Sequence, residues 1–155
     1  AIDLSFYFSS FNFYPALFPV LIIFSLWVND TMAYIIGSLI GKTPLSKISP
    51  KKTWEGTIGG IILSAIVIGL IFSNLNTDIV LPGYHFSFAK YVWFIIPAIA
   101  AITGTFGDLL ESKLKRLAGV KDSGQIMPGH GGFLDRFDSL LVATPFVWLF
   151  VYFFF

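Results

Sequence analysis

Residues 56–72 read GTIGGIILSAIVIGLIF, a run with no charged side chain and only Thr57 and Ser64 as polar interruptions. A helix needs roughly 20 largely apolar residues to cross the roughly 30 Å of hydrocarbon in a bilayer. The reading extends to the chain as a whole. Of its 155 residues 55% are hydrophobic and 12% charged, and Phe alone supplies 18. That charged share is about half of what a soluble domain carries. A water-soluble domain of this size has no interior large enough for so much apolar surface. Lipid must therefore be the solvent for much of the chain.

Working outward, three more apolar segments run from about Phe11 to Leu39, Tyr91 to Leu110 and Phe137 to Phe155. The first carries Asn29 and Asp30 within it. Ala1 to Asn12 is too short to span and reads as an interfacial piece. The fold expected is all-α, a polytopic transmembrane bundle of about four helices with cytoplasmic polar loops. Residues 1–155 form a single membrane-embedded domain, without repeats or low-complexity runs. The chain begins at Ala1 with no basic stretch ahead of a short apolar core, so no signal peptide is expected, and a fragment or processed chain is. The connections at 41–55 and 111–136 are rich in Lys and Arg: Lys42, Lys47, Lys51 and Lys52 in one, Lys113, Lys115, Arg116, Lys121 and Arg136 in the other. The positive-inside rule puts both on the cytoplasmic side. A formal net charge of +1 gives no basic field for nucleic acid, and the absence of Cys excludes disulfides and thiolate metal sites.

The acids are concentrated. Five of the nine, Asp108, Glu111, Asp122, Asp135 and Asp138, fall within 31 residues. Carboxylates near membrane depth are costly and face a cavity or a partner. Asp108, Glu111, Ser112 and Lys115 share one helical face, with Leu109, Leu110, Leu114 and Leu117 on the other side. Such a stripe lines a pocket, or is a helix-end charge network. Arg116 and Lys121 follow and could receive phosphate oxygens. Pro128-Gly129-His130-Gly131-Gly132 exposes backbone N–H groups to a phosphate, or makes a plain turn. Asp135 and Asp138, at i and i+3, can share a divalent metal or cap a helix. Asp30 follows an apolar run and should face the interior, as a metal ligand or paired with a Lys from elsewhere; Ala33, Gly37 and Gly41 give its helix a face suited to close packing. Lys51 and Lys52 signal topology, contact anionic lipid or form part of a triphosphate site.

Gly37 to Thr43 resembles a P-loop but is one residue short between its glycines, and no lipase or zinc-protease motif is present. Ser112-x-Leu114-Lys115-Arg116, Lys121-Asp122-x-Gly124 and Pro128-x-His130-Gly131-Gly132-x-x-Asp135-Arg136-x-Asp138 together resemble the signature of the phosphatidate cytidylyltransferase family. Met127 stands where the family prefers Leu, Ile or Phe. Asp30-Thr31-x-Ala33-Tyr34, Ser49 to Gly56 and Gly107-Asp108 resemble the family as well. Members of that family are usually longer, with more membrane helices upstream, so the resemblance is to their C-terminal, catalytic half.

The resemblance implies transfer of a cytidylyl group from CTP to phosphatidic acid, giving CDP-diacylglycerol and pyrophosphate. It implies Mg²⁺, with a second, monovalent cation as an open addition, held by Asp108, Asp135, Asp138 and Asp30. Ser112, Lys115, Arg116, Lys121, Asp122, His130 and Arg136 are implied as catalytic residues; Lys51, Lys52, Gly131 and Gly132 would bind substrate. The partners expected are CTP, phosphatidic acid and the bilayer, with a homodimer kept open and nucleic acid excluded. The place expected is the bacterial inner (plasma) membrane, with the active site facing the cytoplasm. The rival reading is a transporter with intramembrane carboxylates as an ion pathway. It requires polar residues spread through the membrane depth, and the second and fourth segments have few. A structural membrane subunit would explain the apolar content but not the loop chemistry.

Overall fold

The computed structural model describes residues 17–46, 48–74, 90–120 and 134–154; the side chains of residues 17 and 134–136 stand outside that description. The described residues form four helices: α1 (Leu17–Ile40), α2 (Trp54–Asn74), α3 (Val92–Leu117) and α4 (Leu134–Phe154). All four are long and apolar enough to cross a membrane, and the protein is an integral membrane protein. Among the described residues there are no strands, only an isolated antiparallel bridge between Pro44 and Thr53.

Within the described residues the element boundaries match the expected segments to within about three residues except at the end of α3, and the expected start of the first segment, from Phe11, lies outside the described residues together with the short piece Ala1 to Asn12. α3 does not stop at Leu110 but continues through Glu111–Leu117, so the third connection begins later than the charge pattern suggested. Glu, Lys, Arg and Leu are good helix formers, and Lys115 and Arg116 sit favourably at the negative end of the macrodipole. The helix ends where Gly119 takes φ 70°. The Gly119 N–H then bonds the Arg116 carbonyl at 3.2 Å and the Val120 N–H bonds the Lys115 carbonyl at 3.0 Å, the paired closure of a glycine-terminated helix.

Successive helices run antiparallel. Leu21 near the start of α1, Phe72 near the end of α2, Val92 at the start of α3 and Val147 late in α4 meet in one buried cluster with Leu26, Ile68, Trp93, Ile96 and Ala100. α3 touches each of the other three helices, whereas α2 and α4 do not touch among the described residues. α3 is the most enclosed of the four described helices and α4 the least, its Phe146, Trp148, Leu149 and Phe153 turned outward where lipid is the solvent.

Small residues set the closest approaches, as expected where apolar burial alone cannot drive helices together in lipid. A Cβ on Gly60 of α2 would come within 2.8 Å of the Ala33 Cβ and 2.9 Å of the Asn29 carbonyl on α1. One on Gly107 of α3 would sit 2.8 Å from the Asp138 carbonyl and 3.1 Å from the Ser139 Cα on α4. The second approach brings the segment bearing Asp138 against the helix bearing Asp108. Hydroxyls inside the bundle are satisfied by their own helices: Ser25 donates to the Leu21 carbonyl at 2.6 Å and Thr105 to the Ala101 carbonyl at 2.8 Å.

Candidate active site

The connection from α1 to α2 is a short strapped hairpin. The Trp54 N–H bonds the Thr43 carbonyl at 3.0 Å, and the Leu45 N–H bonds the Lys52 carbonyl at 2.7 Å. The turn closes with the Lys52 N–H on the Ser49 carbonyl at 3.2 Å, with Pro50 at the position its fixed φ suits. Thr53 caps α2, its hydroxyl accepting the Gly56 N–H at 3.2 Å. Glu55 reaches back over the hairpin, accepting the Lys42 N–H at 3.3 Å, the Thr43 N–H at 3.2 Å and the Thr43 hydroxyl at 2.8 Å. These bonds fix the backbone from which Lys51 and Lys52 project.

Lys52 points across the bundle and makes an ion pair with Asp108 of α3. Both side chains are about a third exposed (34% and 29%), at the edge of a cleft of about 1000 Å³. The cleft is lined by α1 (Asn29, Asp30, Tyr34), the hairpin (Lys51, Lys52, Thr53), α3 (Thr105, Asp108) and α4 (Asp138, Ser139). Trp27, Ile23 and Leu140 supply apolar wall, so one opening serves both charged and hydrocarbon groups. Asp30 lies within electrostatic reach of Lys52, Asp108 and Asp138. One oxygen of Asp138 accepts the Ser139 N–H at 2.5 Å.

Of the residues singled out by sequence, Asp30, Lys51, Lys52, Asp108 and Asp138 thus face one cleft. Ser112, Lys115 and Arg116 lie farther along α3, one to two turns beyond Asp108 and outside the cleft lining. Lys115 donates to Glu111 at 3.3 Å, and the Glu111 side chain is only 7% exposed. Asp135 and Arg136 fall in the first turn of α4, with side chains outside the described residues, as are Lys121, Asp122, His130, Gly131 and Gly132 altogether.

Several contributors were not singled out as site residues. Asn29 is 3% exposed and its Oδ1 has no hydrogen-bond partner. A buried acceptor left open beside a cleft is uncommon and calls for a ligand or a water. Its only signal in sequence is the place next to Asp30. Thr105 and Ser139 entered the cleft through helix phase, and Glu55 became a strap through hairpin geometry. Neither property has a composition signal.

The donor chemistry suits a hard cation. Asp30, Asp108, Asp138 and the open Asn29 Oδ1 offer oxygen only, the set Mg²⁺ prefers when substrate phosphates complete its shell. Among the described residues no three acids or histidines form a ready metal cluster.

The sequence matches the model of a cytidylyltransferase family over residues 4–154. It is 44% identical over 145 residues to a phosphatidate cytidylyltransferase of Haemophilus influenzae, covering 92% of this chain and 47% of that protein. It is 42% identical over 143 residues to one of Thermotoga maritima, covering 92% and 52%. It is 44% identical over 125 residues to one of Bacillus subtilis, covering 79% and 43%. The chain spans about half the length of the curated relatives it matches.

Proposed function

Because the chain belongs to the cytidylyltransferase family, we propose that it carries the catalytic part of an enzyme that transfers the cytidylyl group of CTP to phosphatidic acid. A phosphate oxygen of phosphatidic acid forms a bond to the α-phosphorus of CTP. The bond from that phosphorus to the β-phosphate oxygen breaks, and pyrophosphate leaves with the electron pair. The observation that carries this reading is the convergence of Asp30, Lys52, Asp108 and Asp138, from four separate segments, on a cleft with one apolar wall.

Both reactants are anions, so repulsion is the main obstacle, and catalysis rests on neutralising charge and aligning the attack. Lys51 and Lys52 face the phosphates from the hairpin. Lys115 and Arg116 at the end of α3, together with Lys121 and Arg136, hold the triphosphate. Asp108, Asp138 and Asp30, with Asp135, would hold Mg²⁺, which when bound withdraws charge from the phosphoryl oxygens. Ser112 and His130 position substrate, Asp122 belongs to the same set, and the Gly131–Gly132 backbone lets the nucleotide approach. A phosphate monoester is already nucleophilic, so no covalent enzyme intermediate is required. Trp27, Ile23 and Leu140 suit the acyl chains of a lipid that stays in the bilayer while CTP arrives from water.

The basic hairpin and the basic end of α3 lie at the same end of the bundle, which favours placing the cleft on the cytoplasmic side of a bacterial inner membrane. The test is purified protein in lipid with labelled CTP, phosphatidic acid and Mg²⁺, with ATP and GTP as controls. Label should pass from CTP alone into a lipid-soluble product as pyrophosphate appears, and chelation should stop it. No lipid-soluble label from the protein, assayed together with any further helices it naturally carries, would sink the assignment.

A further inference from the structure

We propose that Lys52 is the resident counter-cation of the Asp30 and Asp108 carboxylates, and that Lys52 and a divalent metal ion exclude one another on Asp108. The proposal rests on the reading of those acids as metal ligands.

Lys52 differs from an ordinary surface lysine in how it is held. Its N–H is bonded to the Ser49 carbonyl at 3.2 Å and its carbonyl to the Leu45 N–H at 2.7 Å, with the capping residue Thr53 immediately after it. The backbone is therefore fixed, and the flexible stem alone chooses where the ammonium goes. It goes to Asp108, a residue 56 positions away on the most enclosed helix, and its charge is also felt by Asp30. Carboxylates gathered in a half-buried cleft repel one another, and one compact cation among them relieves that repulsion.

A second observation shows that the ammonium does not complete the site. Asn29, 3% exposed beside Asp30, keeps its Oδ1 without a hydrogen-bond partner. The Asn29 side chain also bonds Asp30, so its open oxygen adds a neutral donor beside the carboxylates that Lys52 leaves unused and a hard cation can take. A divalent ion drawing on Asp108 needs the carboxylate that Lys52 holds. Its arrival therefore releases the lysine, whose fixed root leaves it at the cleft edge where substrate phosphate must lie. Metal loading and presentation of Lys52 to phosphate become one event. A permanent structural pair, tying the hairpin to α3, makes the opposite predictions.

Mn²⁺ serves as the probe, with binding to purified protein in nanodiscs followed by electron paramagnetic resonance without nucleotide. Lys52→Gln should bind Mn²⁺ roughly two- to fivefold more tightly than the parent, the competition a partly exposed ion pair can exert. Lys52→Arg should not gain affinity. In the unmodified protein, mass spectrometry after brief amine-selective acylation should show Lys52 labelled faster with Mn²⁺ than with chelator. This readout needs no variant to fold. Unchanged or weaker Mn²⁺ binding by a folded Lys52→Gln protein, or Lys52 labelling that does not rise, overturns the proposal. If the parent still turns over CTP, the cytidylyltransferase reading survives that result. Absence of Mn²⁺ binding with and without CTP overturns this proposal together with the metal role of the acids.

Discussion

The two ends of the bundle are built from the same four helices and by opposite rules. At one end Leu21, Ile68, Ile96 and Val147 fill the interior, and the hydroxyls present bond to their own helices. At the other end Asp30, Lys52, Asp108 and Asp138 face an open cleft, and an asparagine oxygen lacks a partner. The apolar end is packed shut with its hydroxyls satisfied, whereas the polar end keeps an open cleft and an open acceptor. The difference also bears on transport, because the apolar cluster closes the lower part of the bundle where an ion pathway would have to continue.

Substitutions at the two ends should separate chemistry from stability. The largest effect is expected at the cleft. Asp138→Asn should reduce turnover by ~10²- to 10³-fold while the protein elutes and melts normally, a loss on the scale of removing a charge-stabilising group. Near-normal activity in a lipid-based CTP assay would remove Asp138 from the metal set. Next comes the seam joining the ends. Gly107→Val would meet the Asp138 carbonyl and Ser139, and forcing α3 from α4 should cost about 2 kcal/mol or more and most of the activity. Thermal unfolding in detergent checks the first part. In the apolar end, Ile96→Ala should destabilise by about 2 kcal/mol through the void it leaves, with the KM for CTP unchanged. A raised KM there would show that the two ends are less independent than their chemistry suggests. The smallest effect is expected from Glu55→Gln, which weakens the strap on the hairpin without touching substrate; a rise in KM of about threefold, with kcat nearly kept, fits the loss of such exposed hydrogen bonds.

The apolar end was the more legible in sequence, for a physical reason. The charge-free run at 56–72 has nowhere to go but a membrane, and α2 covers it with little to spare. The end of α3 was less legible, because the rise in charge after Leu110 marks where the chain meets water, not where helix hydrogen bonding stops. Gly119 marks the latter. At the cleft, Asp30, Asp108 and Asp138 stood out because acids are rare in such a chain. The pairing of Lys52 with Asp108 did not, since no local spacing relates residues on a hairpin and on a helix two elements later. Asn29 was hidden because the few polar residues of α1 do not form a stripe from which its inward side can be read, and only the packing of the helices shows it buried.

The continuation of α3 from Val92 to Leu117, through Pro97 in its second turn, has one more consequence. Ile96 and Ala100, gripped in the apolar cluster, and Asp108, at the cleft, lie on a single rod, so the compass bearing of the acid is fixed by packing some turns away. Each residue turns a helix by about 100°, so inserting one residue between Ala101 and Gly107 would swing Asp108 out of the cleft without altering a single side chain there. The count of residues beneath this acid is therefore held as tightly as the small neighbour, Gly107, that lets α4 approach it.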